Sequence, residues 1–421
     1  MNKTETLNWI HSFKAKGRQA DLKRMNWLLE KLGKPQTTFP AIHIVGTNGK
    51  GSTCSYLQHI LTASGYKTGS FTSPYITRFN ERIAIDGKEI SDQDLNKVIS
   101  LVKPIVESVT VETHYEKVTE FELVTLLMFT YFAQINPVDI AIIEAGIGGL
   151  KDSTNVFKAL AVVCPSISFD HQEKLGNSLS QIARQKVGVL DEKVPFIFGQ
   201  MTSAVKQVFY KETQLLGCPT FECNKDFSFK ENGKAFDFIY QDFLISAIHL
   251  KMLGQHQKAN ASLAIMTSLI LAKVFPNINS KTIRTGLQTT IWPGRCELLQ
   301  ANLLLDGAHN IDAITKLIQV LKDSFRDKTI HILFAGLKRK PIEKMLAQLA
   351  EFDLSVTSFD FFEALPLENY PLSYPRVDNW KNWKNWITQA TAHSDHLYVV
   401  TGSFYFISQV RNHLIKKTRL Q

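Results

Sequence analysis

Between residues 41 and 65 the chain reads strand, glycine-rich turn, helix. Ala41-Ile-His-Ile-Val45 is a short apolar run, Gly46-Thr47-Asn48-Gly49-Lys50-Gly51-Ser52 follows, and Thr53 to Ser64 reads as a helix ended by Gly65. That order opens a parallel α/β domain. Closely spaced glycines let backbone come close to a ligand. The N–H groups of such a turn and of the helix behind it form a positive pocket for phosphate. Lys50 supplies a point charge for β- and γ-phosphates, and Ser52 a hydroxyl for a phosphate oxygen or Mg²⁺. The string departs from the common G-x-x-x-x-G-K-[ST] loop, because Ile44 stands where its first glycine would be and Gly51 follows the lysine. A turn that only packs strand on helix is the alternative; the lysine and both flanks favour the nucleotide.

The rest of the chain repeats the α/β rhythm. Residues 5–32 are expected to be helical, stopped by Gly33-Lys34-Pro35. Strands are expected at Thr68–Thr72, Val138–Glu144, Leu160–Cys164 and Pro195–Phe198, and the second of these is apolar enough to be covered on both faces. Residues 220–245 alternate aromatic and polar around Asn232-Gly233, which predicts a hairpin in a β-rich insert. Residues 257–273 return to helix. After Trp292-Pro293-Gly294 a fresh series starts, with strands at Leu303–Asp306, Thr329–Ala335, Leu354–Phe359 and Leu397–Thr401 and a helix capped by Asn310. Trp380, Trp383 and Trp386 fall at i, i+3, i+6 and are expected to pack rather than to form a ligand cage.

Composition removes several classes. In 421 residues, 44% hydrophobic and 21% charged describe a folded globular chain of two or three domains. The net charge of +9 is thin over this length and suits acidic small molecules such as nucleotides or carboxylates as well as it suits nucleic acid; neither a nucleic-acid nor a membrane partner is expected. The five cysteines make no C-x-x-C pair, which argues against structural zinc or a secreted disulfide framework and fits a reducing cytoplasm. No signal peptide and no apolar run near the ~18 residues of a membrane span are expected.

Further strings occur in order along the chain: Thr72-Ser-Pro74, Phe79-Asn-Glu-Arg82, Thr119-Glu-Phe-Glu122, Gly146-Ile-Gly-Gly149, Asp152-Ser-Thr-Asn155, Asp170-His171, Gln255-His-Gln-Lys-Ala-Asn260, Trp292-Pro-Gly-Arg295, Asp306-Gly-Ala-His-Asn310 and Thr401-Gly-Ser403. With the phosphate loop, the set resembles the folylpolyglutamate synthase/dihydrofolate synthase family, a branch of the Mur-type ATP-dependent amide ligases. The resemblance implies an α/β fold with a large P-loop ATPase domain built on a parallel sheet (1–293), a linker (294–296) and a smaller Rossmann-like domain (297–421). It implies that ATP phosphorylates a folate carboxyl group and that the amine of L-glutamate displaces phosphate from the acyl phosphate. ATP and Mg²⁺ are the implied cofactors, reduced folate and L-glutamate the substrates, and a cytoplasmic monomer the implied form.

Residue by residue, the resemblance places ATP at Gly46, Thr47, Asn48, Gly49, Lys50, Gly51, Ser52, Asn260, Arg295 and Asp306. Metal ligands would be Ser73, Glu144, His171, Ser52 and Lys186 as a carbamate, an oxygen-rich set suited to a hard cation. Lys50, His171, Lys186, Asp306 and His309 would be catalytic, and Arg82, Phe121, Asp152 and Ser403 would serve the substrate. Three stretches depart from the family pattern: Asp21-Leu-Lys-Arg24, Gly149-Leu150-Lys151-Asp152 and Lys338-Arg-Lys-Pro341. The first two bear on use of dihydropteroate more than on polyglutamylation, so a bifunctional enzyme is the first alternative. A cell-wall Mur ligase is the second, although a loop starting at Gly46 leaves no room for a preceding nucleotide-sugar domain of about a hundred residues. A non-catalytic ATP switch is the third.

Overall fold

In a computed structural model, residues 2–14, 19–385 and 395–418 are described. The chain forms two compact units: unit 1 is 1–75, 79–249 and 259–290; unit 2 is 76–78, 250–258 and 291–421. The linker expected at 294–296 therefore falls just inside the last stretch of unit 2, which begins at Ile291.

Unit 1 is built on eight strands: β1 (Ala41–Ile44), β2 (Thr68–Phe71), β3 (Ile83–Ile85), β4 (Lys88–Glu89), β5 (Ile140–Glu144), β6 (Ala161–Cys164), β7 (Phe196–Phe198) and β8 (Thr220–Glu222). Their order is β4-β3-β2-β5-β1-β6-β7-β8, parallel from β2 to β8 with β3 and β4 added antiparallel at one edge. In the register Ile44 pairs with both Glu144 and Val163, so the carboxyl ends of β1, β5 and β6 lie side by side. Open α/β sheets bind ligands at that edge.

The helix expected over 5–32 is instead two, α1 (Lys3–His11) and α2 (Leu22–Lys31). Asn2 and Asp21 each cap one of them, and a cap residue in extended conformation starts a helix rather than continuing one. With α4 (Asp92–Glu112) and α5 (Glu120–Thr130), following α3 (Lys50–Ala63), they bury Leu28, Val98, Leu123 and Phe129 against Ala41 and Ile143. After the short α6 (Gln172–Leu175), α7 (Leu179–Val187) and the helix Ser203–Leu216 extend that same sheet face over Val162 and Phe196. Helix α3 lies against β2 and β5, and the helix Ser280–Thr289 packs on it. The strand at β5 is covered throughout, which is why it reads as an unbroken apolar run.

The expected insert is a three-stranded antiparallel sheet, β9 (Ser228–Asn232), β10 (Ala235–Tyr240) and β11 (Phe243–Ile248), whose first turn carries Gly233 at φ 60°. Among its described residues unit 2 holds six strands, β12 (Glu297–Gln300), β13 (Leu303–Leu305), β14 (Thr329–Phe334), β15 (Asp353–Thr357), β16 (Arg376–Val377) and β17 (His396–Thr401). The order β12-β13-β17-β14-β15-β16 is parallel except for β12. Asn310 caps the helix Ile311–Ser324 through the Ala313 N–H. Trp380 and Trp383 are buried against Phe406 and Tyr398, in a 3₁₀ turn, while Trp386 lies outside the described residues.

Candidate active site

The glycine turn leaves β1 and enters α3 at the carboxyl edge of the larger sheet. Gly49 caps α3 at φ 89°, a conformation that a side chain strains. A Cβ there would stand 2.6 Å from Asn260 Oδ1 and 2.9 Å from Pro165 Cβ, so Asn260 lies directly against the turn. The segment after β6 clamps it from the other side. Thr47 N–H donates to Ser166 O at 2.8 Å, Asn48 N–H to Ser166 Oγ at 3.1 Å, and Thr47 Oγ1 meets the backbone of Ser168 at 3.1 Å. A loop tied this way holds its shape before any ligand arrives, which lowers the entropy lost on binding. Ser166 and Ser168 carried no signal as single residues; their place just past the expected strand Leu160–Cys164 is the one clue.

Three charged groups meet beside the turn. Lys50 Nζ lies 3.4 Å from Thr47 O and 3.6 Å from Glu144 Oε1. Glu144 ends β5, buried, and its Oε2 accepts the N–H of Ser73 at 3.2 Å. Lys186, on α7, is buried and donates to Gly46 O at 2.7 Å. Burial first, and then the charge of Lys50, lower the Lys186 pKa from 10.5 to about 7. A substantial fraction of it is therefore a neutral, nucleophilic amine near neutral pH. Ser52 is buried in the first turn of α3.

A turn joins Glu144 to Lys186. Ile147 N–H donates to Asp152 Oδ2 at 2.9 Å, and Leu150 N–H donates to Gln185 O at 2.7 Å. Gly149 packs so closely on α7 that a Cβ would reach 2.5 Å from Lys186 O. At Gly146 a Cβ would meet the Phe121 ring at 2.6 Å, so Phe121 stands two residues past the carboxylate. Arg82 is tied to the same region by its carbonyl, which accepts the N–H of Thr72. Its guanidinium lies over Tyr75 and Phe79 at 5.4 and 5.7 Å, and its Nε is buried without a hydrogen-bond partner among the described residues. His171 begins α6 in the left-handed region, with its ring nitrogens 3.9 Å from Asp170 and 3.6 Å from Glu173.

The segment Asp21–Arg24 and the string Thr119–Glu122, which the sequence offered as separate motifs, meet through the buried pair Arg24 and Glu122. Arg24 donates to Glu122 from Nε (3.1 Å) and Nη2 (2.8 Å to each oxygen), and Asp21 N–H adds a 3.1 Å bond.

Unit 2 gathers its own candidates at the carboxyl end of β13. Asp306 is buried: Oδ2 accepts Cys296 N–H at 2.8 Å and Oδ1 accepts Ala308 N–H at 2.9 Å. Burial raises its pKa, against the opposing pull of Arg295. Arg295 lies over the Phe404 ring at 4.3 Å, and His309 packs on the same ring at 5.3 Å while its Nδ1 contacts Gly307 O. Phe404, which organises both, was not singled out by the sequence. Ser403 Oγ accepts the N–H of Tyr405, a helix-capping contact. In the basic stretch, Arg339 pairs with Glu363 and Lys338 reaches Phe362 O.

Among the described residues no group of three His, Cys, Asp or Glu side chains converges as a metal cage. Mg²⁺ does not need one. It keeps several waters and is commonly held by one or two carboxylates and the phosphates of its nucleotide. A buried carboxylate with a serine at hand beside a phosphate loop fits that demand.

Residues 44–268 match the Mur ligase middle domain. Over 97% of its length the chain is 36% identical to a dihydrofolate synthase/folylpolyglutamate synthase of Bacillus subtilis (strain 168), covering 98% of that protein. It is 34% identical to a folylpolyglutamate synthase of Lacticaseibacillus casei, with 99% of each covered. The solved FPGS–AMPPCP–folate complex superposes with a TM-score of 0.87 at 34% identity, over 99% of this chain and 100% of the other.

Proposed function

The chain belongs to the folylpolyglutamate synthase/dihydrofolate synthase family of Mur-type ligases, and we propose that it joins L-glutamate to a reduced folate at the expense of ATP. The observation that carries this reading is the preformed turn 46–52 with Lys50, Glu144 and Ser73 around it, in a chain that matches a nucleotide- and folate-bound relative along its whole length.

The chemistry asks for what these residues offer. A folate carboxylate oxygen attacks the γ-phosphorus, ADP leaves, and an acyl phosphate forms. The glutamate amine attacks the acyl carbon, the C–O bond to phosphate breaks, and an amide, inorganic phosphate and a proton result. Two anions must meet in the first step, so the turn N–H groups and the Lys50 ammonium hold the β- and γ-phosphates and offset their charge. Glu144 and Ser73, with Ser52 and His171, would hold Mg²⁺, which when bound supplies further charge neutralisation at the phosphates. Asn260, pressed on Gly49, fixes the turn and meets the nucleotide. Lys186, poised as a partly neutral amine, takes up CO₂: its nitrogen forms the bond to the CO₂ carbon and loses one N–H proton, so the neutral amine becomes an anionic carbamate beside the metal position. Phe121 gives the pterin a ring to pack on, Arg82 a cation for substrate carboxylate, and Asp152 holds the turn between them. In unit 2, Arg295 and Asp306 serve the nucleotide, and His309 its phosphates. The protein acts in the cytoplasm as a monomer; no described helix is long and apolar enough to cross a membrane.

A second activity, dihydrofolate synthesis from dihydropteroate, is favoured by the double name of the Bacillus relative. One assay covers both: ADP release with tetrahydrofolate or dihydropteroate in parallel, each with and without glutamate. Release that needs folate and glutamate together supports the ligase; release indifferent to both points to an ATPase switch.

A further inference from the structure

A histidine sits in the middle of a strand that has no other polar side chain. His43 is fully buried in β1, in register with Ile143 and Val162, three residues before Gly46 of the phosphate turn. Its Nε2 lies 2.8 Å from Thr154 Oγ1, and that hydroxyl lies 2.6 Å from Asp152 Oδ1. The proton directions follow from valence. Oδ1 already accepts the Thr154 N–H at 3.0 Å and Oδ2 accepts Ile147 N–H, so the carboxylate receives the single threonine proton. The threonine oxygen must then accept from His43, which fixes the Nε2–H tautomer and leaves Nδ1 bare. Nδ1 is buried and has no hydrogen-bond partner among the described residues, while the ring packs on Phe157 at 4.9 Å. A leucine or isoleucine would fill such a site without leaving an orphan acceptor. The imidazole has therefore a task other than filling space.

We propose that His43 is a positioning residue: through Thr154 it locks the Asp152 carboxylate, and Asp152 holds the turn 146–149 that sets Glu144 and Lys186 at the phosphate loop. The chain of contacts is continuous. His43 donates to Thr154, Thr154 to Asp152, Asp152 accepts the N–H of Ile147, and the turn ends where Gly149 and Leu150 are pressed on the backbone of Gln185 and Lys186. His43 touches neither substrate nor phosphate. Its effect appears in how well the reacting groups are placed, and so in kcat more than in nucleotide binding. This rests on the ligase reading above.

The test uses the full chain and three variants. His43→Leu keeps volume and removes the donor; His43→Gln returns an N–H donor close to the position of Nε2; Thr154→Val removes the hydroxyl that links them. We expect His43→Leu and Thr154→Val each to lower kcat at least ten-fold with KM for ATP within two-fold of wild type. We expect His43→Gln to recover to within about three-fold, and the His43→Leu/Thr154→Val double variant to be no worse than either alone, since both break one chain. Near-wild-type kcat in His43→Leu, or a Gln variant as impaired as the Leu variant, would overturn the proposal while wild-type activity keeps the ligase reading intact. A wild-type protein without glutamate-dependent turnover would instead refute that reading. If His43→Leu fails to fold, Thr154→Val, which removes one buried hydroxyl, carries the same comparison.

Discussion

The pair Arg24–Glu122 allows a sharp calculation. Both residues are buried, Glu122 completely, and its carboxylate receives five contacts: three from the Arg24 guanidinium, one from Asp21 N–H and one from Thr119 N–H at 2.7 Å. Glu122→Gln keeps the shape and removes the charge. One of its two oxygens becomes an NH₂ group, which cannot accept and in either orientation faces Nη2 of Arg24, together with the Thr119 N–H or with Nε of Arg24 and the Asp21 N–H. Breaking one side of a buried pair costs about 3–5 kcal/mol, because the other charge is left without compensation. For the melting of a domain above 150 residues, at about 2–4 °C per kcal/mol, the first transition should fall by roughly 6–20 °C. Replacing both partners by apolar residues of similar size removes the stranded charge. Arg24→Met/Glu122→Leu should therefore lie within about 2 kcal/mol of wild type, the remainder reflecting the Gln19 and Glu116 carbonyls that Arg24 also reaches. Calorimetry of wild type, Arg24→Met, Glu122→Leu and the double variant gives the full cycle, with Glu122→Gln measured beside it, and 0.5 M salt should change it little because the pair is out of water. A Glu122→Gln shift under about 2 °C, or a double variant as unstable as the single ones, would refute the reasoning.

Three further outcomes are expected. Gly49→Ala meets a strained φ and the Asn260 amide at 2.6 Å, so nucleotide affinity by calorimetric titration should fall at least ten-fold; unchanged affinity would mean that the turn does not hold phosphate. Lys186→Ala should lose turnover and regain part of it with small carboxylates such as acetate, whereas insensitivity to them would count against a carbamate at this position. His43 titrates at about 3 rather than 6.5 because burial disfavours its cation. The unfolded chain therefore binds the extra proton as pH falls below 6.5, and stability that is full above that value declines toward pH 4 by about 3 kcal/mol. In His43→Gln, urea unfolding between pH 7 and 4 should show a correspondingly flatter decline, and an identical slope would remove His43 as its source.

The phosphate turn was legible because its physics is local. Strand, glycines, lysine and helix lie within 25 residues, and each needs only its neighbours in sequence. The hairpin at Asn232-Gly233 was legible for the same reason. The break between α1 and α2 was not, since the apolar spacing of 5–32 runs through it and the caps Asn2 and Asp21 declare themselves only when their N–H partners are seen. Long-range pairings left no trace at all. Arg24 and Glu122 are 98 positions apart, and His43 and Thr154 are 111 apart. Asp152 looked like a substrate residue by its motif, and only the contacts reveal that its oxygens are engaged by Thr154 and Ile147. Ser403 likewise sits at a strand end where ligands bind, yet its hydroxyl caps the following helix.

The central claim is that the turn at 46–52 hands the terminal phosphoryl group of ATP to a carboxylate. The fate of oxygen reports on that step alone. With both oxygens of the acceptor carboxyl of the folate labelled with ¹⁸O, attack at phosphorus followed by cleavage of the acyl C–O bond leaves one labelled oxygen in each phosphate released. Mass spectrometry of that phosphate should show one ¹⁸O per molecule in wild type and no glutamate-dependent phosphate in Lys50→Ala. Unlabelled phosphate alongside amide formation, or full turnover by the Lys50 variant, would contradict the account.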